Sequence, residues 1–262
     1  MTTPIPAAFA RTVRGEGPGL LLAHGASGSI EDNYGPILDG LAARHTVVGV
    51  DYPGSGATPA ADRLEVDTLA DQLIAAADAE GLDTFAVSGY SLGGPVAIRL
   101  ATRYPERVSS LVLTATFGYT DARTELVAAV WQQLLEAGHL TALAAYTQLM
   151  ALSEPALHAL TPAQVRADTE QLAAGLTSGP TAQVNLVRRI DVREELAGLT
   201  VPALVVVTTE DRLVSPVLQR ELAAAVPTAE TVEVLSGHCP FADQPRQWLE
   251  VIEDFLARTA GR

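Results

Sequence analysis

A serine stands between closely spaced glycines in the first half of the chain. Residues 89–93 read Gly-Tyr-Ser-Leu-Gly, and Gly94 follows directly. An apolar run precedes this segment and a stretch of helical period follows it, which is the strand-to-helix context that gives the G-x-S-x-G pattern its meaning. Such a tight turn projects the serine hydroxyl outward, and the amides at the start of the helix can stabilise an oxyanion. The pattern therefore predicts that Ser91 is a nucleophile that attacks a carbonyl carbon.

A serine hydroxyl needs a base to take its proton and an acid to orient that base. Of the five histidines, His238 comes directly after the last predicted strand. Asp211 comes after the preceding predicted strand, so both side chains are expected at the carboxyl edge of the sheet. The chain order is then nucleophile, acid, base, with Ser91, Asp211 and His238 as the predicted catalytic triad.

The composition excludes several other chemistries. The chain contains no lysine, so its 17 positive charges are all arginine, and Schiff-base, pyridoxal-phosphate, Walker-type and Ser-Lys mechanisms are ruled out. A single cysteine, Cys239, excludes an intramolecular disulfide and a cysteine-rich zinc site, and we interpret it as a small buried apolar residue. The net charge of −14 without a basic stripe argues against nucleic acid as a partner. The predicted chemistry needs no metal or organic cofactor.

Short apolar runs alternate with longer stretches of helical period, which predicts an α/β fold with a mostly parallel, doubly wound sheet and helices on both faces. One or two antiparallel edge strands are expected between Ile5 and Val13, where Pro4 and Pro6 fit only an edge. The predicted strands are Gly19–Ala23, Thr46–Asp51, Thr84–Ser88, Ser109–Ala115, Ala203–Thr208 and Thr231–Leu235. The predicted helices are Tyr34–Arg44, Val66–Glu80, Leu92–Tyr104, Pro216–Ala225 and Asp243–Arg258.

One stretch, from Phe117 to Leu199, breaks the alternation and contains only Ala/Leu-rich segments of helical character. It predicts a helical cap over residues 117–199, inserted in a core domain made of residues 1–116 and 200–262. The longest apolar run, Leu126 to Trp131, is six residues, far short of the roughly 20 that span a bilayer. Without an apolar segment after a basic start, the N-terminus does not look like a signal peptide. We therefore expect a soluble, cytoplasmic protein with no membrane contact and a small-molecule substrate.

These motifs together resemble those of the α/β-hydrolase fold family. The resemblance extends from about Gly19 to Arg258 and includes His24-Gly25, the Asp51–Gly56 turn, the nucleophile elbow, the acid turn and the histidine loop. It implies that the backbone amides of Ala26 and Leu92 form the oxyanion hole. Some members take the acid from the strand that here ends near Ala115, which makes Asp121 the alternative to Asp211. A serine at the elbow, rather than an aspartate, argues against a haloalkane dehalogenase or an epoxide hydrolase.

The cap is expected to supply the substrate pocket. Its aromatic and sulfur-containing side chains could line an acyl or alcohol pocket, and these are Phe117, Tyr119, Trp131, Tyr146 and Met150. Arg188 could hold a substrate carboxylate, as a cap arginine does in related hydrolases of ring-cleavage products. Lid-to-core packing would explain the aromatic residues equally well, and a solvent-facing ion pair would explain Arg188.

The sequence thus predicts a serine hydrolase that cleaves a small-to-medium apolar ester, lactone or thioester through an acyl-enzyme on Ser91. Two alternatives stay open. The same triad serves elimination, cyclisation, acyl transfer or C–C bond cleavage in some biosynthetic enzymes of this fold, and motifs alone do not separate these reactions. The chain could also be a non-catalytic ligand receptor that retains the triad.

Overall fold

A seven-stranded sheet forms the centre of the computed structural model, which describes residues 8–176 and 179–260. The strands are β1 Arg11–Arg14, β2 Gly19–Ala23, β3 Thr46–Val50, β4 Phe85–Tyr90, β5 Val108–Thr114, β6 Ala203–Thr208 and β7 Ala229–Val234. Their spatial order is β1-β3-β2-β4-β5-β6-β7. Every neighbouring pair is parallel except β1 with β3, which is antiparallel.

Helices cover both faces of this sheet. They are α1 Ile30–Ala42, α2 Val66–Ala79, α3 Gly93–Arg103, α4 Ala122–Glu136, α5 Leu140–Ala151, α6 Glu154–Ala159, α7 Pro162–Gly175, α8 Thr181–Val187, α9 Arg193–Leu196, α10 Pro216–Ala225, α11 Pro240–Asp243 and α12 Pro245–Thr259. Successive side chains of a strand point to opposite faces, so Leu21 belongs to the apolar layer that includes residues of α2, α3 and α10, whereas Leu20 and Leu22 belong to the layer that includes residues of α1 and α12. The predicted doubly wound α/β fold is confirmed.

Element boundaries differ from the sequence prediction at identifiable capping and proline residues. Helix α1 begins at Ile30 rather than Tyr34, because the side chain of Ser29 accepts a hydrogen bond from the Asp32 amide and caps the helix. The helix predicted over Asp243–Arg258 is α12, which begins two residues later at Pro245, a residue that lacks an N–H and suits the first helical position. The short helix α11 precedes it and ends at Asp243.

Strands β1 and β7 form the two edges of the sheet. One antiparallel edge strand, β1, is present as predicted, and residues 1–7, with both N-terminal prolines, lie outside the described residues. At the other edge, β7 is largely exposed apart from Val234. An edge strand has a neighbour on one side only, which explains its polar composition.

Helices α4 to α9 lie between β5 and β6, and within the described residues this insertion contains no strand. An isolated antiparallel bridge between Tyr119 and Asp191 joins its two ends. In the described part of the chain, no helix combines the length and the apolar character needed to cross a membrane.

Candidate active site

Ser91 occupies a strained turn between β4 and α3. Its φ of 51° lies in the left-handed region, which disfavours residues with a side chain. Its amide donates to the Thr114 carbonyl at 3.0 Å, and its carbonyl accepts from Thr116 Oγ1 at 2.6 Å and from the Gly94 amide at 2.9 Å. The end of β5 and the residues that follow it therefore hold both the amide and the carbonyl of Ser91.

The glycines of the turn are required by close backbone approach. A Cβ atom on Gly93 would lie 1.9 Å from the carbonyl oxygen of Ala23, and one on Gly89 would lie 2.4 Å from the Gly93 carbonyl oxygen. A Cβ on Gly94 would lie 2.0 Å from Thr116 Oγ1. Since contacts below 3.0 Å to backbone essentially do not occur, no other residue fits the first two positions.

The structure brings the three predicted triad residues together. Nε2 of His238 lies 3.0 Å from Oγ of Ser91, and Nδ1 of His238 lies 2.8 Å from Oδ2 of Asp211. All three side chains are buried. This continuous chain of two hydrogen bonds has the geometry that activates a serine hydroxyl.

Asp211 is held by donors on both carboxylate oxygens. Oδ1 accepts from the backbone amides of Leu213 and Val214, both at 2.9 Å. Oδ2 accepts from Thr208 Oγ1 at 3.0 Å and from Gln219 Nε2 at 3.1 Å, in addition to His238. These donors fix the orientation of the carboxylate toward the imidazole.

Asp121, the alternative acid, has a different position. Its Oδ1 accepts a hydrogen bond of 2.7 Å from the Thr124 amide, so its side chain caps helix α4. Its carboxylate has no contact with His238 among the described hydrogen bonds and ion pairs.

Ala26, the first predicted oxyanion residue, lines the cavity beside Ser91. The amides on both sides of it are occupied: Gly25 donates to Oδ1 of Asn33 and Ser27 donates to Oε1 of Gln183, each at 2.9 Å. The amide of Ala26 itself donates to no other described residue. Leu92, the second predicted residue, immediately precedes α3, and its amide is likewise unoccupied within the described chain.

His24 and Asp51 anchor the loops behind this site. Nε2 of His24 accepts from the Tyr52 amide at 2.9 Å, and the two rings stack with centroids 3.9 Å apart. Burial lowers the pKa of His24 to about 4, so its ring is neutral near pH 7. Oδ1 of Asp51 accepts from the Ile30 amide at 2.8 Å. Both residues therefore stabilise the loops.

A cavity of about 690 Å³ opens over Ser91 and His238. Its wall is mostly apolar and comes from the core and from α4, α5, α7 and α8. Four of the predicted pocket residues line it, namely Phe117, Trp131, Tyr146 and Met150. Among the described lining residues there is no arginine, and two carboxylates, Asp32 and Asp168, are present with exposed side chains.

Two residues predicted to bind substrate lie outside this cavity, and the prediction is corrected for both. The Tyr119 hydroxyl donates to Oε2 of Glu221 at 3.1 Å, and the guanidinium of Arg193 lies 4.4 Å from its ring centroid. Arg188 donates through Nε to both carboxylate oxygens of Glu125, at 3.0 and 3.1 Å.

Nη1 of Arg188 completes the interaction by donating to Oε1 of Gln132 at 2.6 Å. A guanidinium that is paired in this way between α4 and the end of α8 does not reach a ligand above Ser91. The hypothesis of C–C bond cleavage, which relied on Arg188 as a carboxylate anchor, loses that support.

Cys239 lines the cavity next to His238, with its Sγ 3.8 Å from the hydroxyl of Tyr90. Burial raises the pKa of the thiol to about 12, so the sulfur stays protonated near neutral pH. The thiol therefore contributes packing rather than nucleophilic chemistry.

The sequence analysis missed two fully buried glutamines that support the site. Gln219 donates to Asp211, and Gln183 accepts from the Ser27 amide. The only signal available in the sequence was that Gln219 lies on the apolar side of α10, beside Leu218 and one turn before Leu222. In residues 8–176 and 179–260, no three or more His, Cys, Asp or Glu side chains are grouped so that they could hold a metal ion.

Comparison with known proteins gives the family. The chain is 30% identical over 247 residues to pyrrolizixenacetamide deacetylase of Xenorhabdus hominickii, covering 93% of this chain and 92% of that protein. It is 32% identical over 261 residues to the pimeloyl-acyl-carrier-protein methyl ester esterase of Aeromonas hydrophila, covering 92% and 96%.

A solved structure, the enol-lactonase from Burkholderia xenovorans LB400, superposes with a TM-score of 0.80 at 21% identity, over 97% of this chain and 100% of that one, which shows a shared fold. The family profile for the alpha/beta hydrolase fold matches residues 18–245. With this match over most of its length, the chain belongs to the α/β-hydrolase fold family.

Proposed function

We propose that the protein is a serine hydrolase that cleaves a small-to-medium, mostly apolar ester, lactone or thioester through an acyl-enzyme on Ser91. The observation that carries this proposal is the hydrogen-bonded chain from Asp211 through His238 to Ser91, which ends at the floor of a large apolar cavity. Relatives named as an esterase and a deacetylase support hydrolysis of an acyl bond.

The roles of the residues follow from this geometry. Nε2 of His238 takes the proton of Ser91 as Oγ attacks the carbonyl carbon, and Asp211 holds the tautomer with its proton on Nδ1 and stabilises the imidazolium. The amides of Ala26 and Leu92 donate to the oxyanion of the tetrahedral intermediate. His238 then returns the proton to the leaving group, and water cleaves the acyl-enzyme by the same steps.

The cavity wall favours a neutral acyl group. With apolar side chains from four cap helices, two exposed carboxylates and no arginine among the described lining residues, a substrate carboxylate would be desolvated without a partner. A neutral ester pays no such penalty. The cap over residues 117–199 would exclude water during acylation, and we retain the prediction that the protein acts in the cytoplasm.

The experiment combines turnover with covalent labelling. Purified protein and Ser91→Ala are incubated with short-chain nitrophenyl esters and with a serine-directed phosphonate. We expect ester hydrolysis and a single adduct on Ser91 in the unmodified protein, and neither in the variant. Labelling of another residue, or hydrolysis that survives in Ser91→Ala, would refute the proposal.

The charge preference has its own test. With a dimethyl dicarboxylate as substrate, the first methyl ester should be cleaved at least about tenfold faster than the ester of the resulting half-ester, because the second substrate brings a carboxylate into the cavity. A dimethyl ester and a half-ester that react equally fast would contradict the neutral-substrate assignment, whereas the triad would be unaffected.

A further inference from the structure

We propose that Gln183, in cap helix α8, is a positioning residue for the oxyanion amide of Ala26. It fixes the peptide units beside Ala26, and catalysis thereby depends on a buried contact between the cap and the core. This inference rests on the proposed function, because it assigns the loop around Ala26 to oxyanion binding.

Gln183 makes three hydrogen bonds in this contact, one through Oε1 and two through Nε2. The side chain is fully buried, its Oε1 accepts from the Ser27 amide at 2.9 Å, and its Nε2 donates to the Pro53 carbonyl at 3.0 Å and to Ser55 Oγ at 2.8 Å. Exchange of the oxygen and nitrogen positions would set the amide group against the Ser27 N–H, donor against donor. The orientation of the glutamine is therefore determined by its partners.

The effect on Ala26 comes from its two neighbours. The Gly25 amide is bound by Asn33 of α1 and the Ser27 amide is bound by Gln183 of α8, which leaves the amide between them unoccupied within the described chain. The Ala26 N–H lies in the same planar peptide unit as the Gly25 carbonyl, which accepts from Nδ1 of His24 at 2.7 Å. The bound amides of Gly25 and Ser27 restrict rotation of the backbone before and after that unit. The side-chain oxygens of Asn33 in the core and of Gln183 in the cap thus bind the amides directly before and directly after that of Ala26.

The Ser27 backbone needs such a support. Its φ of 66° lies in the left-handed region, where a residue with a side chain is destabilised by about 1 to 2 kcal/mol. Without the acceptor on Gln183, the Ser27 peptide unit could relax toward an extended conformation and would turn the neighbouring amide with it. The hydrogen bond from the Ser27 amide to Gln183 therefore stabilises the strained backbone of Ser27, in addition to joining α8 to the core.

Gln183 is itself held by backbone packing below it. The turn at Gly54, with φ of 91°, approaches the start of α8 so closely that a Cβ on Gly54 would lie 2.1 Å from the Gly179 carbonyl oxygen. This approach places the loop that contains Pro53 and Ser55 directly against the segment that leads into α8. The glutamine consequently joins helix α8 to two core loops, one with Ser27 and one with Pro53 and Ser55.

The test uses a graded set of variants with a neighbouring control. Gln183→Met keeps the volume but removes all three hydrogen bonds, and Ser55→Ala removes only one of them. Asn185→Ala, two residues further along α8, is the control, because Asn185 lines the polar surface groove with Arg188 and Arg189 and not the cavity over Ser91.

For each variant kcat and KM are measured with a nitrophenyl ester after active-site titration. The inhibition constant of a trifluoromethyl ketone is measured in parallel, since Ser91 adds to its carbonyl carbon and creates an oxyanion in the hole while His238 takes the proton. The melting temperature reports on folding.

We expect Gln183→Met to lower kcat by about 10- to 100-fold, which is less than the loss of a whole oxyanion donor, and to change KM by less than about threefold. The inhibition constant of the ketone should rise by the same factor by which kcat/KM falls. Ser55→Ala should show a smaller loss in the same direction, and Asn185→Ala should match the unmodified protein.

A merely structural role gives a different pattern. If Gln183→Met lowers the melting temperature but the titrated sites keep their kcat and their ketone affinity, the inference is overturned. Should Gln183→Met not fold, the same comparison applies to Ser55→Ala, and an unchanged kcat and ketone affinity there refutes it. If the ketone and the phosphonate fail to modify the unmodified protein at Ser91, the proposed function fails instead.

Discussion

Replacement of Asp211 by asparagine tests the assignment of the acid most directly. The amide group of the asparagine can occupy the place of either carboxylate oxygen. At Oδ1 it would face the two backbone N–H groups of Leu213 and Val214, which cannot rotate away. At Oδ2 it faces the Thr208 hydroxyl, which can rotate, and His238, which can change tautomer. It also faces Nε2 of Gln219, which keeps two other acceptors, Thr208 Oγ1 and the Val214 carbonyl.

We therefore expect the amide group of the asparagine at the Oδ2 position. The asparagine amide would donate to Nδ1 of His238, and the ring proton would move to Nε2, which lies 3.0 Å from Oγ of Ser91. A protonated Nε2 donates to the serine hydroxyl and cannot accept its proton. The same substitution at a Ser-His-Asp triad of another fold costs about 10⁴-fold in kcat, equivalent to about 5 kcal/mol of transition-state stabilisation, and we expect a loss of that order here.

The assay is steady-state hydrolysis of nitrophenyl acetate by Asp211→Asn, with the melting temperature as a check on folding. Asp121→Asn is the matched control: it makes the same chemical change at the alternative acid, and asparagine is as good a helix N-cap as aspartate. Its kcat should stay at the level of the unmodified protein. An Asp211→Asn enzyme within about tenfold of full activity, or a large loss in Asp121→Asn, would refute the assignment.

Three further predictions follow from burial and close packing. Cys239→Ala should retain most of the kcat, and the unmodified thiol should resist iodoacetamide at pH 8, because its pKa of about 12 leaves almost no thiolate; rapid alkylation would contradict this. The pKa of His24 is about 4 in the folded protein against 6.5 in the unfolded chain, so the unfolded state binds more protons between these pH values. Urea denaturation should therefore show stability falling as the pH drops from 6.5 to 4, by up to about 3 kcal/mol, and a flat profile would count against the shift. Gly93→Ala should abolish stable folding because its Cβ meets the Ala23 carbonyl at 1.9 Å, whereas Gly175→Ala, with nothing within 4 Å, should leave the melting temperature equal or higher; similar melting temperatures for both variants would show that the elbow is less tightly packed.

The elements of this fold that depend on local patterns were predictable. The strands β2 and β6 and the helix α10 have the predicted bounds, because apolar runs with polar ends define them without reference to distant residues. The triad residues could be selected because each follows a strand whose carboxyl end reaches the same edge of the sheet.

Interactions between distant segments were not predictable in the same way. Arg188 forms its pair with Glu125, 63 residues away, and nothing in the local sequence of either residue indicates this partner. Gln183 bonds Ser27 across 156 residues, and in the sequence it looks like any helix glutamine. The partners of polar side chains in the insertion between β5 and β6 become visible only when the positions of its helices are known.

Among residues 8–176 and 179–260, three residues other than glycine adopt left-handed backbone angles, namely Ser27, Ser91 and Ala115. Ser27 and Ser91 line the cavity, and Ala115 precedes Thr116, which donates to the Ser91 carbonyl. Each conformation costs about 1 to 2 kcal/mol, against a total stability of about 5 to 15 kcal/mol for a typical domain. A selection for heat resistance alone would therefore favour glycine at these positions, and at Ser91 it would remove the proposed nucleophile. If the proposed function holds, stability and catalytic rate place opposite demands on Ser91, so we expect stabilising substitutions to be tolerated better on the other face of the sheet, around α1 and α12.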